Sequence, residues 1–245
     1  MRKINDITKF IKDYVESAKA SGVLVAMSGG KDSFIVAKLA TMAVGSENVF
    51  GLIMPNGKMK DIDVAKEECE YLNIKYAVAN IEKLYDNVIL LTKKSLNMKK
   101  LSDVTTINTA PRLRMTMAYS AAASLNYLVA NTSNLSETMI GYSTKWGDNV
   151  GDFAPIASLT KTEVCKLGLD LGLPENYIMK KPDDGLSGKT DEEKIGFSYD
   201  ELDNFIRKGK KGDNFNRIER MHKISEHKRM LPKKYDSKLK NYFDN

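Results

Sequence analysis

The chain has 245 residues, 42 % of them hydrophobic and 29 % charged, enough for one sizeable core, which excludes a disordered, collagen-like or low-complexity chain. Lys and Arg outnumber Asp and Glu by 38 to 32, and this net charge of +6 fits phosphorylated small molecules, nucleic acid or plain solubility, so charge alone selects none of them. No apolar run approaches the roughly 20 residues of a membrane helix, and the first ten residues carry charges instead of an apolar signal segment, so a cytoplasmic protein without membrane contact is expected.

In chain order, Ile4, Ile7, Ile11, Tyr14 and Ala18 recur at helical spacing until Gly22 breaks the pattern, and Val23 to Met27 then reads as a buried strand. Similar short runs follow at Val49 to Met54, Ile74 to Ala79 and Tyr127 to Ala130. A helical face of Ile62, Ala65, Cys69 and Leu72 precedes the third run, and one of Leu113, Met117, Ala121 and Leu125 precedes the fourth. This alternation predicts an α/β fold, a Rossmann-like doubly wound parallel sheet with helices on both faces and right-handed crossovers.

Thr160 and Glu163 fit a capping box that opens a helix through Val164, Leu167 and Leu171, closed by Gly172 and Pro174. Ser198 and Glu201 repeat the signature ahead of Leu202 and Ile206. Between them, Lys180 to Gly196 lacks either periodicity and is expected to be a mobile surface loop of the lid type. A last helix through Phe215, Ile218 and Met221 leads into a basic tail from about 227 to 245. Cys69 and Cys165 have neither disulfide nor zinc spacing, lie in apolar helical patterns and are expected to be core thiols.

The most informative stretch is Ala26-Met27-Ser28-Gly29-Gly30-Lys31-Asp32-Ser33, set between the first strand and the helix that follows. Adjacent glycines let backbone amides approach an anion, two serines add hydroxyl donors, and the helix points its positive end at the same place. No Gly-Lys-Ser/Thr closes it, so it is not a Walker A loop. Asp32 in the first helical turn would repel a phosphate unless a magnesium ion bridges the two, and that ion typically takes one or two protein carboxylates plus phosphate oxygens. A second carboxylate is therefore expected. Glu137 is the candidate because it follows the fourth strand, and ligands of open parallel sheets collect beyond the strands' carboxyl ends; on this argument alone an ordinary surface glutamate stays open. Lys161, at the first helical position where the dipole disfavours a cation, needs an anion nearby, or else is a solvated lysine.

The Ser28 to Ser33 loop resembles that of the N-type ATP pyrophosphatases, which cleave ATP between the α and β phosphates and hand AMP to an acceptor. Within that superfamily a closer resemblance, to the NAD synthetases, rests on Asn131-Thr132 with Glu137, on Gly141 to Asp148, and on Asp152, Pro155 and Leu159-Thr160-Lys161. Arg112 to Met115, Lys181-Pro182, Gly188 to Glu192 and Glu226-His227-Lys228 add to it, so that it runs from about Ala26 to Leu231.

The resemblance implies that ATP adenylates the nicotinate carboxylate of deamido-NAD and that ammonia then displaces AMP to give NAD. By position, Asp32 and Glu137 would hold magnesium, and the residues from Ala26 to Ser33, Thr132 and Lys161 would bind ATP, Lys161 also serving as the catalytic clamp on pyrophosphate. Arg112, Lys145, Asp152, His227 and Lys228 would contact deamido-NAD, the last two reaching a neighbouring subunit's site in a homodimer, while Asp152 would also orient the incoming ammonium. Two positions depart from the family pattern. Asp183 stands where a small hydroxyl residue near ATP is usual, which leaves it a backbone or water-mediated contact, and Asn131 stands where glycine is usual. Two rivals stay open at this level: a tRNA-modifying ATP pyrophosphatase, for which the basic stretch from Arg207 to Lys240 speaks, and a nucleotide-binding module without turnover. Ordinary helix periodicity and the lack of zinc-like cysteine pairs weigh against the first, so no nucleic-acid partner is expected.

Overall fold

The computed structural model describes residues 2–58, 61–180 and 190–235. Its centre is a four-stranded parallel sheet of β1 (Gly22–Met27), β2 (Val49–Ile53), β3 (Lys75–Val78) and β4 (Tyr127–Ala130), in the order β3-β2-β1-β4. The helices in chain order are α1 (Arg2–Ser17), α2 (Lys31–Val44), α3 (Ile62–Tyr71), α4 (Glu82–Ser95), α5 (Asp103–Leu125), α6 (Leu135–Ile140), α7 (Lys161–Asp170), α8 (Glu175–Ile178), α9 (Asp191–Ile195), α10 (Tyr199–Lys208) and α11 (Phe215–Ile224). Alternate residues of each strand face opposite layers, as a strand's period of two requires. Val23, Val25, Met27, Val49 and Ile53 meet α1, α2, α3, α7 and α8, whereas Leu24, Leu52 and Val129 meet α5 on the other side. The α/β sheet with helices on both faces is thus the one expected from the sequence.

Chain order reverses between β1 and β4, so a crevice opens beyond their carboxyl ends, where open α/β sheets bind ligands. The loop after β1 is Ser28 to Gly30, and the loop after β4 leads to α6. A third, smaller core of Ile140, Ile195, Phe197, Tyr199, Leu202 and Ile218 joins α6, α9, α10 and α11 beside this crevice.

Several expectations are corrected. The segment from Lys180 to Gly196 is not structureless throughout, because Thr190 and Glu193 form a reciprocal capping box that starts α9; residues 181–189, and with them Asp183, lie outside the described residues, as does the tail beyond 235. The fully buried residues of α5 are Ala118 and Ala122, one position beyond the predicted stripe, because alanines let the helix approach the sheet; Leu125 is exposed. Cys69 is a core thiol, but Cys165 is half-buried, with Lys31 Nζ 3.5 Å from its Sγ at the edge of the crevice.

Glu68 on α3 is the exception within the apolar layer. Only 1 % exposed, it has no hydrogen-bond partner among the described residues for either carboxylate oxygen, and burial pushes it up to about 8 despite the pull of Lys180. Since the folded chain holds this proton well above the ordinary value of 4.5, the stability it contributes is present below that value and is lost as pH rises through about 8. Glu68→Gln is therefore expected to flatten the decline of the urea midpoint between pH 6 and 9 and to leave the variant the more stable protein at pH 9.

Candidate active site

Ser28 leaves β1 and the chain turns at Gly29, where φ is +72° and any Cβ would fall 2.7 Å from the Asp61 carbonyl oxygen, so that no side chain fits. Ser33 Oγ donates to the Gly30 carbonyl at 2.8 Å and lies 3.2 Å from Ser28 Oγ, so the hydroxyls brace the loop. Gly30 is the N-cap of α2 and no side chain caps it. α6, α7 and α9, by contrast, all carry complete capping boxes. An uncapped N-terminus that opens on the crevice suits an anion.

Beyond β4, Asn134 and Glu137 form the capping box of α6, with Glu137 Oε2 accepting from the Asn134 amide at 3.3 Å. The other oxygen, Oε1, accepts from Lys161 Nζ at 2.9 Å, and Asp32 Oδ2 accepts from the same ammonium at 2.7 Å. Three helices thus meet in one buried ion cluster, Lys161 being 5 % exposed. Burial works against the charge on Lys161, but Asp32 and Glu137 outweigh it and hold the ammonium well above its ordinary range. Burial is also the largest influence on Glu137 and raises it, with the Lys161 charge opposing and Asp32 adding. The two carboxylates are thereby the anions that a lysine at the first position of α7 requires. Asp32 and Glu137 already converge on one cation, and Asp32 Oδ1 is buried without a partner among the described residues, so the donor set fits a magnesium ion that takes its remaining ligands from phosphate and water.

What holds this cluster in place was not anticipated from the sequence. Ser136 Oγ accepts the Lys161 amide at 2.9 Å and donates to Asp203 Oδ1, while Asp203 Oδ2 accepts from both the amide and the hydroxyl of Thr162 at 2.8 Å. Asp203 therefore ties α10 to the starts of α6 and α7. Its signal was available: it sits four residues after Tyr199 on the apolar face of α10, where a carboxylate needs a buried partner.

The expected dinucleotide contacts group on the loop after α6. Arg112 Nε donates to the Lys145 carbonyl at 3.2 Å, and Lys145 Nζ lies 5.3 Å from the Trp146 ring centre. Lys228 Nζ donates to the Gly141 and Ser143 carbonyls of its own chain at 2.7 and 2.6 Å. His227 beside it is exposed. Asn131 is buried, and its amide donates to the Asp148 and Val150 carbonyls at 3.3 and 3.1 Å, so the side chain that departs from the family pattern fastens this loop. Asp152 Oδ2 accepts the Val129 amide at 2.7 Å, which commits one oxygen to the end of β4, while Tyr119 Oη approaches the other at 3.4 Å. Thr132 is half-buried between β4 and α6. Arg114, also missed as a site residue, donates from Nε to the Met54 carbonyl at 2.8 Å and closes the crevice from the α5 side.

Comparison with known proteins agrees with this geometry. The NAD synthase family model matches residues 3–232. The chain belongs to the NAD synthase family. A curated relative, the NH(3)-dependent NAD(+) synthetase of Pyrococcus horikoshii, is 40 % identical, with 94 % of this chain and 95 % of that protein aligned. Among solved structures, an NMN synthetase from Francisella tularensis superposes with a TM-score of 0.88 at 32 % identity, covering 96 % of this chain and 98 % of that one. An NH3-dependent NAD synthetase from Campylobacter jejuni gives 0.77 at 30 % identity with the same coverage. The family match extends far beyond the glycine loop, to both walls of the crevice.

Asp203→Ala would leave the buried Ser136 hydroxyl and the amide and hydroxyl of Thr162 without their acceptor, and is expected to cost about 2 kcal/mol of folding stability, read from urea unfolding.

Proposed function

We propose that the chain catalyses ATP-dependent amidation of deamido-NAD with ammonia, releasing AMP and pyrophosphate. One observation carries this reading: the phosphate loop, the two carboxylates and Lys161 meet at the β1/β4 crevice of a chain that matches the NAD synthase family along almost its whole length. That length of match is also what favours it over an RNA-modifying pyrophosphatase or a module without turnover.

In the first step a nicotinate carboxylate oxygen attacks the α-phosphorus of ATP, and the bond to the bridging oxygen breaks as pyrophosphate leaves. Both partners are anionic, so the protein's part is positioning and positive charge. The loop amides and hydroxyls of Ser28 to Ser33 bind the phosphates, and Lys161 moves from its carboxylates to the departing pyrophosphate. Asp32 and Glu137 hold magnesium, which supplies several kcal/mol of charge stabilisation when bound, against at most about 2 kcal/mol from a helix N-terminus. In the second step ammonia attacks the acyl carbon and AMP leaves with the bonding pair. Asp152 Oδ1, the oxygen not committed to Val129, accepts the proton that the ammonium sheds. Arg112, Lys145 and Lys228 hold the anionic dinucleotide.

A second copy of the chain completes the assembly. α4 buries none of its residues, and Leu90, Leu91, Leu96, Val104 and Ile107 on α4, its C-terminal turn and α5 are exposed together. This apolar face needs a cover, and α5 also carries Arg112, so a homodimer formed there borders the dinucleotide side of the crevice. Ile107→Asp is expected to convert a sedimenting dimer into a monomer.

The deciding experiment is pyrophosphate release from purified protein with ATP and magnesium, expected only when deamido-NAD is added. The higher TM-score to an NMN synthetase favours a second reading in which the acceptor is the mononucleotide, so nicotinate mononucleotide belongs in a parallel arm. Asp152→Asn is expected to keep pyrophosphate release while losing most amide formation from ammonium salts; full amide formation with unchanged substrate affinity would remove Asp152 from the chemistry.

A further inference from the structure

Tyr199, the first residue of α10, is 5 % exposed, yet its hydroxyl has no hydrogen-bond partner among the described residues. Its ring lies against the ion cluster, with Lys161 Nζ 5.4 Å from the ring centre. A tyrosine phenol carries its proton at neutral pH, so the group is an O–H donor. The carboxylates nearby accept from other donors. Glu137 accepts from Lys161 and Asn134, and Asp191 Oδ1 accepts from Tyr142 Oη at 2.9 Å. A buried hydroxyl without a partner typically costs about 1–3 kcal/mol, and such groups persist where a ligand completes them.

Among the described residues, Asp32 Oδ1 and Tyr199 Oη are both buried without a partner, and they are complementary: the carboxylate oxygen can only accept, and the phenol is a donor. The first suits a cation. The second suits an anionic oxygen, and the anion that draws Lys161 off its carboxylates arrives beside this ring. We propose that Tyr199 donates a hydrogen bond to a phosphate oxygen of the bound polyphosphate, making it a ligand-binding residue for the pyrophosphate half of ATP and for pyrophosphate itself. The proposal rests on the reading of the crevice as an ATP pyrophosphatase site, and it predicts a trade between stability and binding that packing alone would not produce.

The test compares wild-type protein with the isosteric Tyr199→Phe, measuring the Kd for magnesium pyrophosphate by calorimetry and the Tm without ligand. The expected result is a Kd raised by a factor of about 3 or more, one hydrogen bond's worth, with a ligand-free Tm equal to or above that of the wild type. A smaller change in Kd overturns the proposal, and so does a lower ligand-free Tm, which would mean that the hydroxyl already has a partner. Wild-type protein that binds no magnesium pyrophosphate would overturn the underlying reading of the site, and the proposal with it.

Discussion

One buried ammonium organises the active half of this molecule. Lys161 reaches from α7 to carboxylates on α2 and α6, and each of those helices begins at the carboxyl end of a different part of the sheet. Removing one member of a buried ion pair commonly costs about 3–5 kcal/mol, because the charge left behind has no water to solvate it. The same arrangement prepares for ligands. A site that already balances one cation against two carboxylates can exchange that cation for a metal once a polyphosphate takes the lysine, with little change in the local sum of charge.

The surroundings show how such a cluster is kept in register. Asp203 and Ser136 lock the starts of α6 and α7 through buried hydrogen bonds, and the small core around Leu202 and Ile218 holds α10 against them. α2 differs, since its N-terminus is left without a side-chain cap beside a glycine turn. Of the three helices that meet in the ion cluster, α6 and α7 carry complete capping boxes and α2 has no side-chain cap. Asp32 Oδ1 and Tyr199 Oη, buried without partners among the described residues, lie in the same part of the molecule.

Much of this was legible in the sequence, for identifiable reasons. Strand positions followed from short apolar runs between Gly and polar breaks, and the capping box at Thr160 and the N-cap at Ser198 followed from four-residue spacing, although the Glu201 carboxylate accepts from Asn214 and does not close a box on Ser198. The pairing of Asp32 with Glu137 was legible as an electrostatic necessity: a carboxylate in a phosphate loop needs a cation, and a cation of that kind tends to need a second carboxylate. What was not legible has an equally physical origin. Cys165 occupies an apolar helical position and packs against the main core, but it lies at the core's edge, half-buried, with Lys31 beside its thiol. The helix at Asp191–Ile195 is too short to show periodicity and depends on its cap.

Local order and chemistry were thus determined by the chain alone: which segments are strands and helices, where the anion-binding turn lies, and which side chains carry charge near it. Periods of two and 3.6 residues, and caps three residues apart, are properties of neighbouring residues. Only the tertiary structure decided that Lys161 lies on the two carboxylates, that Asp203 braces it, that Lys228 is held by its own chain's carbonyls, and that the Tyr199 hydroxyl has no partner among the described residues. These contacts join residues 24 to 129 positions apart where they are hydrogen-bonded, and burial within them depends on how the helices close over the crevice, which no local pattern encodes.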